Sequence, residues 1–182
     1  MGMKPSLQDE RIALRALEPE DVDLLMRWEN DEANWPLSGT LAPYSRHILR
    51  EYVAHSSADI YSSRQLRLII TERTGEQAIG TIDLFDFDPF HLRAGVGILI
   101  GEKSYRRQGH ASRALTLIAR YGFQYLGLQQ LYCTIGANNQ GSQRLFEKQG
   151  FKRSGTQAQW IRLNGRFEDA YFYQLLNPAP KK

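Results

Sequence analysis

The spacing of apolar positions along the chain changes between a period of two and a period near 3.6, which predicts alternating strands and helices. Apolar runs typical of strands cover residues 12–17, 65–71, 78–85, 95–100 and 131–135. The turn Thr74-Gly75-Glu76 predicts a hairpin between the second and third runs. A last pair, residues 157–163 and 167–175, flanks Asn164-Gly165, the strongest hairpin signal in the sequence.

Four segments have helical spacing. The first begins at Pro19, carries Val22, Leu25 and Trp28 on its apolar face, and ends before a loop at Pro36. The second covers residues 44–53 and the fourth covers residues 142–149, closed by Gly150. The third runs from Ala111 to a stop at Gly127, with Leu115, Ile118, Gly122 and Leu126 on one face and Arg113, Thr116, Arg120 and Gln124 on the other. This order predicts a mixed α/β fold.

Length and composition predict one domain over residues 1–177 with a tail over residues 178–182, since 42% of the 182 residues are hydrophobic and 24% are charged. No segment resembles a signal peptide or a membrane span, so we expect a cytoplasmic protein without membrane contact. The single cysteine, Cys133, lies in an apolar run and is expected in the core. Only four scattered histidines accompany it, which predicts no metal site.

Charge is divided unevenly along the chain. Residues 1–102 hold 10 Lys and Arg against 17 Asp and Glu, a net charge of −7, whereas residues 103–182 hold 13 against 3, a net charge of +10. This division indicates two ligands of opposite charge, a half that binds nucleic acid, or scattered surface charge. The cations are spread without an aromatic platform, so we expect no nucleic-acid partner.

The segment "SYRRQGHASRAL" connects the run at residues 95–100 to the third helix. A helix N-terminus exposes unpaired amides and partial positive charge, and a glycine there lets an anionic phosphate approach the backbone. The residues in position for such a site are Arg106, Arg107, Gln108, Gly109, His110 and Ala111. The segment lacks both GKS/GKT and GxGxxG, which disfavours ATP and NAD.

Three motifs resemble the GNAT superfamily of acetyl-CoA-dependent N-acetyltransferases. "RRQGHA" is similar to that family's Q/R-x-x-G-x-G/A pyrophosphate loop, "GVGILI" to the strand before it, and "NNQGSQRLFEKQGF" to its N-x-x-S-x-x-[LI]-[YF]-x-K-x-G-F segment. They stand in the family's order, and with likeness near both ends the resemblance covers nearly the whole chain. It implies a single GNAT-like domain with a central, mostly antiparallel sheet, splayed at its middle strands and flanked by about four helices.

The resemblance also implies where acetyl-CoA binds. The cofactor would lie between the strands at residues 95–100 and 131–136, with its pantetheine arm along the backbone of Ile98, Leu99 and Ile100. Amides of residues 106–111 would hold the pyrophosphate. Asn139 would contact the cofactor arm or merely cap the following helix, and Phe146 belongs to the same cofactor segment.

The reaction implied is direct attack of a primary amine on the thioester, without a covalent enzyme intermediate. The tyrosine that often serves as general acid in this family is replaced by Phe146, which has no hydroxyl. Ser142, one helical turn earlier, is our candidate proton donor, and Tyr132 or an ordered water is the alternative.

Candidate bases lie in "DLFDFD". Asp83, Asp86 and Asp88 are expected to share one side if the strand persists. The alternatives are a strand end that faces solvent and water-mediated deprotonation.

Family precedent places acceptor contacts on the first two helices, their loop and the final hairpin. A cationic acceptor would be attracted by the carboxylates of that region, and the predicted contacts are Glu29, Asp31, Glu32, Trp35 and Asp83. The chain most resembles spermidine N-acetyltransferases, although "WPLSGTLAPY" lacks their acidic pair. We therefore expect a polyamine or diamine such as spermidine; a protein N-terminus, an amino sugar, or acyl-CoA or polyamine sensing without turnover are alternatives. A homo-oligomer is compatible with the sequence.

Overall fold

A computed structural model describes residues 6–56, 59–163 and 165–179. Its strands are β1 (Ile12–Arg15), β2 (Leu66–Glu72), β3 (Gln77–Asp88), β4 (Arg93–Ile100), β5 (Gln130–Gly136), β6 (Lys152–Leu163) and β7 (Arg166–Leu176). They form one sheet in the order β1-β2-β3-β4-β5-β7-β6. Every neighbouring pair is antiparallel except β4 and β5, which are parallel. The mostly antiparallel α/β sheet is therefore confirmed.

The described helices are α1 (Val22–Glu29), α2 (Trp35–Ser38), α3 (Arg46–His55), α4 (Ile60–Ser63), α5 (His110–Gln124) and α6 (Gln140–Lys148). Pro19–Asp21 and Lys103–Tyr105 form short 3-10 helices. α1, α3, α5 and α6 correspond to the four predicted helices, whereas α2 and α4 are single turns that the pattern did not predict. Within the described ranges, no helix is long and apolar enough to cross a membrane.

The sheet separates two apolar layers. On one face, α5 packs through Leu115 and Ile118 into a core that includes Val96 and Leu131. On the other face, Leu25 of α1 and the apolar side of α3 pack with Ile69 of β2. β4 serves both layers: Ile98 and Ile100 pack into the first, and Leu99 into the second. Alternation along the strand produces this division.

Most predicted elements are confirmed, with shifted ends. α5 begins one residue before the expected Ala111 and ends at Gln124, so Gly127, with φ +70°, lies in the turn that follows. β6 begins at Lys152 rather than Gln157, because pairing with β7 holds these exposed residues in a strand despite their lack of apolar alternation. Asn164 of the predicted hairpin turn and residues 180–182 of the predicted tail lie outside the described residues.

The sheet opens between its two parallel strands. β4 and β5 pair only where Arg93–Gly95 face Gln130–Tyr132. Beyond these residues β4 remains paired to β3 as far as Ile100, and β5 remains paired to β7 as far as Gly136. The two halves of the sheet therefore diverge from Val96 onward, which confirms the expected splay.

A bulge in β3 arranges its three aspartates. Asp83 and Asp86 are three residues apart, and in a regular strand they would point to opposite faces. The register with β4 shifts between Phe85 and Asp88, and Asp86 has φ +48°. The bulge adds one residue to β3 relative to β4 between Phe85 and Asp88. It thereby brings Asp86 and Asp88 to the face that carries Asp83. The expectation of a shared face is correct, although the bulge causes it.

Candidate active site

A cleft of about 400 Å³ occupies the opening between β4 and β5. Its walls come from both central strands, from the start of α6, from α2 and from the β6–β7 hairpin. The lining residues are Asn34, Pro36, Ser38, Val96, Gly97, Ile98, Leu99, Cys133, Thr134, Ile135, Gly136, Asn138, Asn139, Ser142, Phe146, Ile161, Leu163 and Glu168. The splay thus joins segments that are far apart in the sequence.

Five of the predicted site residues line this cleft together: Ile98, Leu99, Asn139, Ser142 and Phe146. The Phe146 ring is buried and packs edge-to-face on Phe151, with ring centroids 5.0 Å apart. The side-chain oxygen of Asn139 accepts a hydrogen bond of 3.1 Å from the Ser142 amide. Asn139 therefore caps α6 while it also lines the cleft, so both sequence-based interpretations of this residue remain.

Gly109 immediately precedes α5 and has φ +86°, a left-handed conformation that glycine adopts without steric cost. No heavy atom outside its chain neighbours lies within 4 Å of the position that a Cβ would occupy. The neighbouring Arg107 and Gln108 are exposed. The amides at this helix N-terminus are consequently open to an anion.

The side chains of Arg106 and His110 contact the protein itself, although the sequence places both residues in a ligand-binding loop. Arg106 Nε donates to the Ile100 carbonyl at 2.8 Å, and its guanidinium also reaches Asn34 Oδ1 at 3.3 Å. The His110 ring is 2% exposed and lies 5.5 Å from the Tyr105 ring. Burial lowers the pKa of this imidazole. The sequence placed His110 in the phosphate-binding segment, and the structure turns its side chain into the protein.

Glu29 and Asp83, two of the expected acceptor contacts, bind the same arginine. Arg67 Nη1 donates to Glu29 at 2.8 Å, while Nε and Nη2 donate to the two oxygens of Asp83 at 2.5 and 3.2 Å. Burial lowers the pKa of the Arg67 guanidinium, but the charge of Asp83 outweighs it and raises that pKa above its usual range. The guanidinium also lies 5.2 Å from the centre of the Tyr52 ring. This arginine compensates much of the charge of both carboxylates.

The other expected acceptor contacts lie outside the cleft. Asp31 pairs with Lys103 at 3.1 Å, Glu32 is exposed to solvent, and Trp35 Nε1 donates to the Glu29 carbonyl at 2.9 Å. The loop does reach the cleft, but through its neutral residues Asn34 and Ser38. The predicted segment therefore lines the cleft, whereas the side chains of Asp31, Glu32 and Trp35 do not.

Asp86 and Tyr132 belong to a second cavity of about 510 Å³ at the closed end of the strands. It is lined by Asp86, Asp88, Arg93, Gln130, Tyr132, Phe172 and Gln174. Burial and the adjacent Asp86 raise the pKa of the Tyr132 hydroxyl. Because β4 and β5 are still paired here, neither Asp86 nor Tyr132 lines the cleft, in contrast to Ser142.

Thr134 and Glu168 are among the cleft residues to which sequence reasoning gave no role. Glu168 is the only carboxylate among the described residues that line the cleft. A signal for it existed, because the family resemblance assigned acceptor contacts to the final hairpin, and strand alternation separates Glu168 from Asp169. Cys133 also lines the cleft; it is 3% exposed, and burial raises the pKa of its thiol to about 12, as expected for a core residue.

An opened sheet beside a glycine-led helix N-terminus, with residues of two of the three predicted motifs in one cleft, is the arrangement expected of acyl-CoA-dependent transferases. The model of the Acetyltransferase (GNAT) domain matches residues 11–152. The chain belongs to this family and is an N-acetyltransferase that uses acetyl-CoA.

Similar proteins cover nearly all of the chain. The uncharacterized N-acetyltransferase YoaA of Bacillus subtilis (strain 168) is 28% identical over 177 residues, covering 97% of this chain and 99% of the relative. The probable N-acetyltransferase YjcK of the same organism is 31% identical over 177 residues, with coverage of 94% and 97%. A crystal structure of spermidine N-acetyltransferase from Vibrio cholerae in complex with CoA and spermine has a TM-score of 0.84 at 23% identity, covering 93% of this chain and 97% of that one.

Proposed function

We propose that this enzyme transfers the acetyl group of acetyl-CoA to a primary amine of a diamine or polyamine. One observation carries the proposal: β4 loses its pairing with β5 after Gly95, and the edge that this opens leads to the N-terminus of α5. An extended thioester arm can pair with such an edge while its diphosphate meets the helix amides. The cleft connects this edge to the α2 and hairpin walls on the acceptor side.

The cofactor-binding residues follow from this arrangement. Ile98 and Leu99 line the cleft where the pantetheine arm would bind. The Ile100 carbonyl already accepts from Arg106, so the strand-like pairing ends there. Amides from Arg107 to Ala111 hold the diphosphate, with Gly109 allowing close approach.

The amine nitrogen attacks the thioester carbonyl carbon, a C–N bond forms and the C–S bond breaks. Coenzyme A leaves as a thiol after it gains a proton, and the amine gives up a proton. An amine of lysine type has a pKa near 10.4, so presenting it uncharged at pH 7 costs about 4.6 kcal/mol. Ser142 lines the cleft beside Phe146 and is our proton donor. Both oxygens of Asp83 accept from Arg67, and we therefore assign proton removal to water in the cleft.

The acceptor class rests on charge and on likeness. The Vibrio cholerae enzyme, whose crystal structure contains CoA and spermine, supports an acceptor with several amines. The carboxylate of Glu168 on the hairpin wall supports a cationic acceptor.

Thiol release from acetyl-CoA tests the proposal. The panel contains putrescine, spermidine, glucosamine and short peptides with free N-termini, and a reaction without amine corrects for hydrolysis. We expect saturable release with putrescine or spermidine and confirmation of the acetylated amine by mass spectrometry. Release with a peptide or an amino sugar only would refute the diamine or polyamine assignment, and no release with any amine would refute the proposed reaction.

A further inference from the structure

Glu168 lies on the face of the sheet from which an acceptor would enter. Alternation along β7 places Glu168, Ala170 and Phe172 on one face. The Phe172 ring stacks on Tyr132, whose ring packs edge-to-face against Phe85. This is the face on which Asp83 meets Arg67, opposite to the face covered by α5 and α6.

Glu168 also has apolar neighbours on the adjacent strand. It pairs with Ile161 of β6, and both side chains line the cleft together with Leu163. A bulge between Gln157 and Ile161, at which the Gln159 amide donates to Asp169 Oδ1 at 2.9 Å, positions this end of the hairpin. The hairpin wall thus combines one carboxylate with two aliphatic side chains.

The charge of Glu168 is uncompensated in the part of the chain that the structure describes. No cationic side chain there lies within ion-pair distance of it, whereas Glu29, Asp83 and Asp31 are each held by a basic residue. Glu168 is half-buried, so its field in the cleft is less screened than that of an exposed carboxylate. Glu168 is also the only charged residue among the described residues that line the cleft.

We propose that Glu168 is the specificity residue that binds the distal ammonium group of a diamine or polyamine, while Ile161 and Leu163 contact the methylene chain. The proximal amine is then left at the opening of the sheet, where it can lose its proton and react. This inference rests on the proposed function and adds the residue that distinguishes a diamine from a monoamine.

The test compares putrescine with butylamine, which has the same carbon chain and no second ammonium group. Glu168→Gln keeps the shape of the side chain and removes its charge; Glu168→Asp keeps the charge on a shorter side chain. Glu20→Gln, at an exposed position in the first 3-10 helix, is the matched control for lost charge. For each variant, kcat/KM is measured with both amines, and putrescine binding to the CoA-saturated protein is measured by calorimetry.

We expect Glu168→Gln to lower the putrescine-to-butylamine ratio of kcat/KM by about tenfold or more, which corresponds to about 1.4 kcal/mol. The KM for acetyl-CoA should stay unchanged, Glu168→Asp should recover part of the ratio, and Glu20→Gln should match the wild type. If Glu168→Gln leaves the putrescine-to-butylamine ratio of kcat/KM unchanged, the role given to Glu168 is wrong and the proposed function is unaffected. If the wild type acetylated no amine, the proposed function would fail, and calorimetry would still decide: putrescine binding equal in wild type and Glu168→Gln, or absent from both, overturns the assignment.

Discussion

A matched pair of substitutions at Gly109 tests whether the N-terminus of α5 binds the diphosphate of acetyl-CoA. Asn and Asp have nearly the same shape, and both tolerate the left-handed conformation better than other residues do. Each pays a similar strain of about 1–2 kcal/mol at φ +86°. Space for the side chain exists, because no heavy atom beyond the chain neighbours lies within 4 Å of the Cβ position. The two variants therefore differ mainly in one negative charge.

The size of the effect follows from Coulomb's law. A carboxylate about 4 Å from a phosphate oxygen is repelled by about 1 kcal/mol in water and about 4 kcal/mol at an effective dielectric constant of 20. Gly109 is exposed, so the lower part of this range applies. We expect Gly109→Asp to raise the KM for acetyl-CoA by about fivefold or more relative to Gly109→Asn.

Steady-state kinetics with varied acetyl-CoA measures the effect of the charge on ligand binding. Thermal unfolding of the ligand-free protein measures its effect on stability. Without ligand, Gly109→Asp should be at least as stable as Gly109→Asn, since a negative charge near a helix N-terminus is favourable by about 0.3–1 kcal/mol. If Gly109→Asp has a higher KM for acetyl-CoA than Gly109→Asn and an equal or higher Tm, the loss of binding comes from repulsion between the carboxylate and the ligand. Equal KM values for the two variants would refute the diphosphate site.

Three further predictions concern catalysis, acid stability and thiol reactivity. Ser142→Ala should lower kcat about 100-fold with little change in KM for acetyl-CoA, and adding Phe146→Tyr should restore part of it; unchanged kcat in the single variant would remove Ser142 as proton donor. Burial raises the pKa of the Asp21 carboxyl, but the Arg15 hydrogen bonds outweigh it and hold that pKa below 3.8. The unfolded chain therefore binds the proton more readily, so the ion pair stabilises the protein above about pH 4 and this stabilisation is lost as the pH falls through the native pKa. In urea unfolding from about pH 6 to about pH 3, the free energy of unfolding should fall less for Asp21→Asn than for the wild type. An equal fall in both proteins would contradict a stabilising Asp21–Arg15 pair. Burial raises the pKa of the Cys133 thiol to about 12, so at pH 8 the native protein should react slowly with a thiol reagent and rapidly in urea; fast labelling of the native protein would contradict its burial.

The local parts of the cofactor site could be predicted from sequence because they depend on short-range rules. Gly109 before an amphipathic helix, the apolar run ending at Ile100, and the Asn139 and Ser142 segment all follow from spacing within a few residues. The structure brings three of these residues, Ile98, Asn139 and Ser142, into one cleft. The family resemblance supplied the order in which the segments meet.

The acceptor side could not be predicted at the level of side chains. Glu29, Asp31 and Asp83 looked available for a cation, but each of them pairs with a cation from another segment of the chain, Arg67 or Lys103. Pairing of this kind depends on which strands and helices pack together, and composition carries no information about it.

The sequence by itself determined the helices with apolar stripes, the strands with apolar runs, the glycine at the N-terminus of α5 and the membership of a family, because these depend on local periodicity and short motifs. Only the tertiary structure decided where β4 and β5 part, that a bulge places Asp86 on the same sheet face as Asp83, and that Glu168 rather than Glu32 lines the cleft. These outcomes depend on strand register and on ion pairs between residues that are far apart in the sequence. Both are set only when those segments pack together.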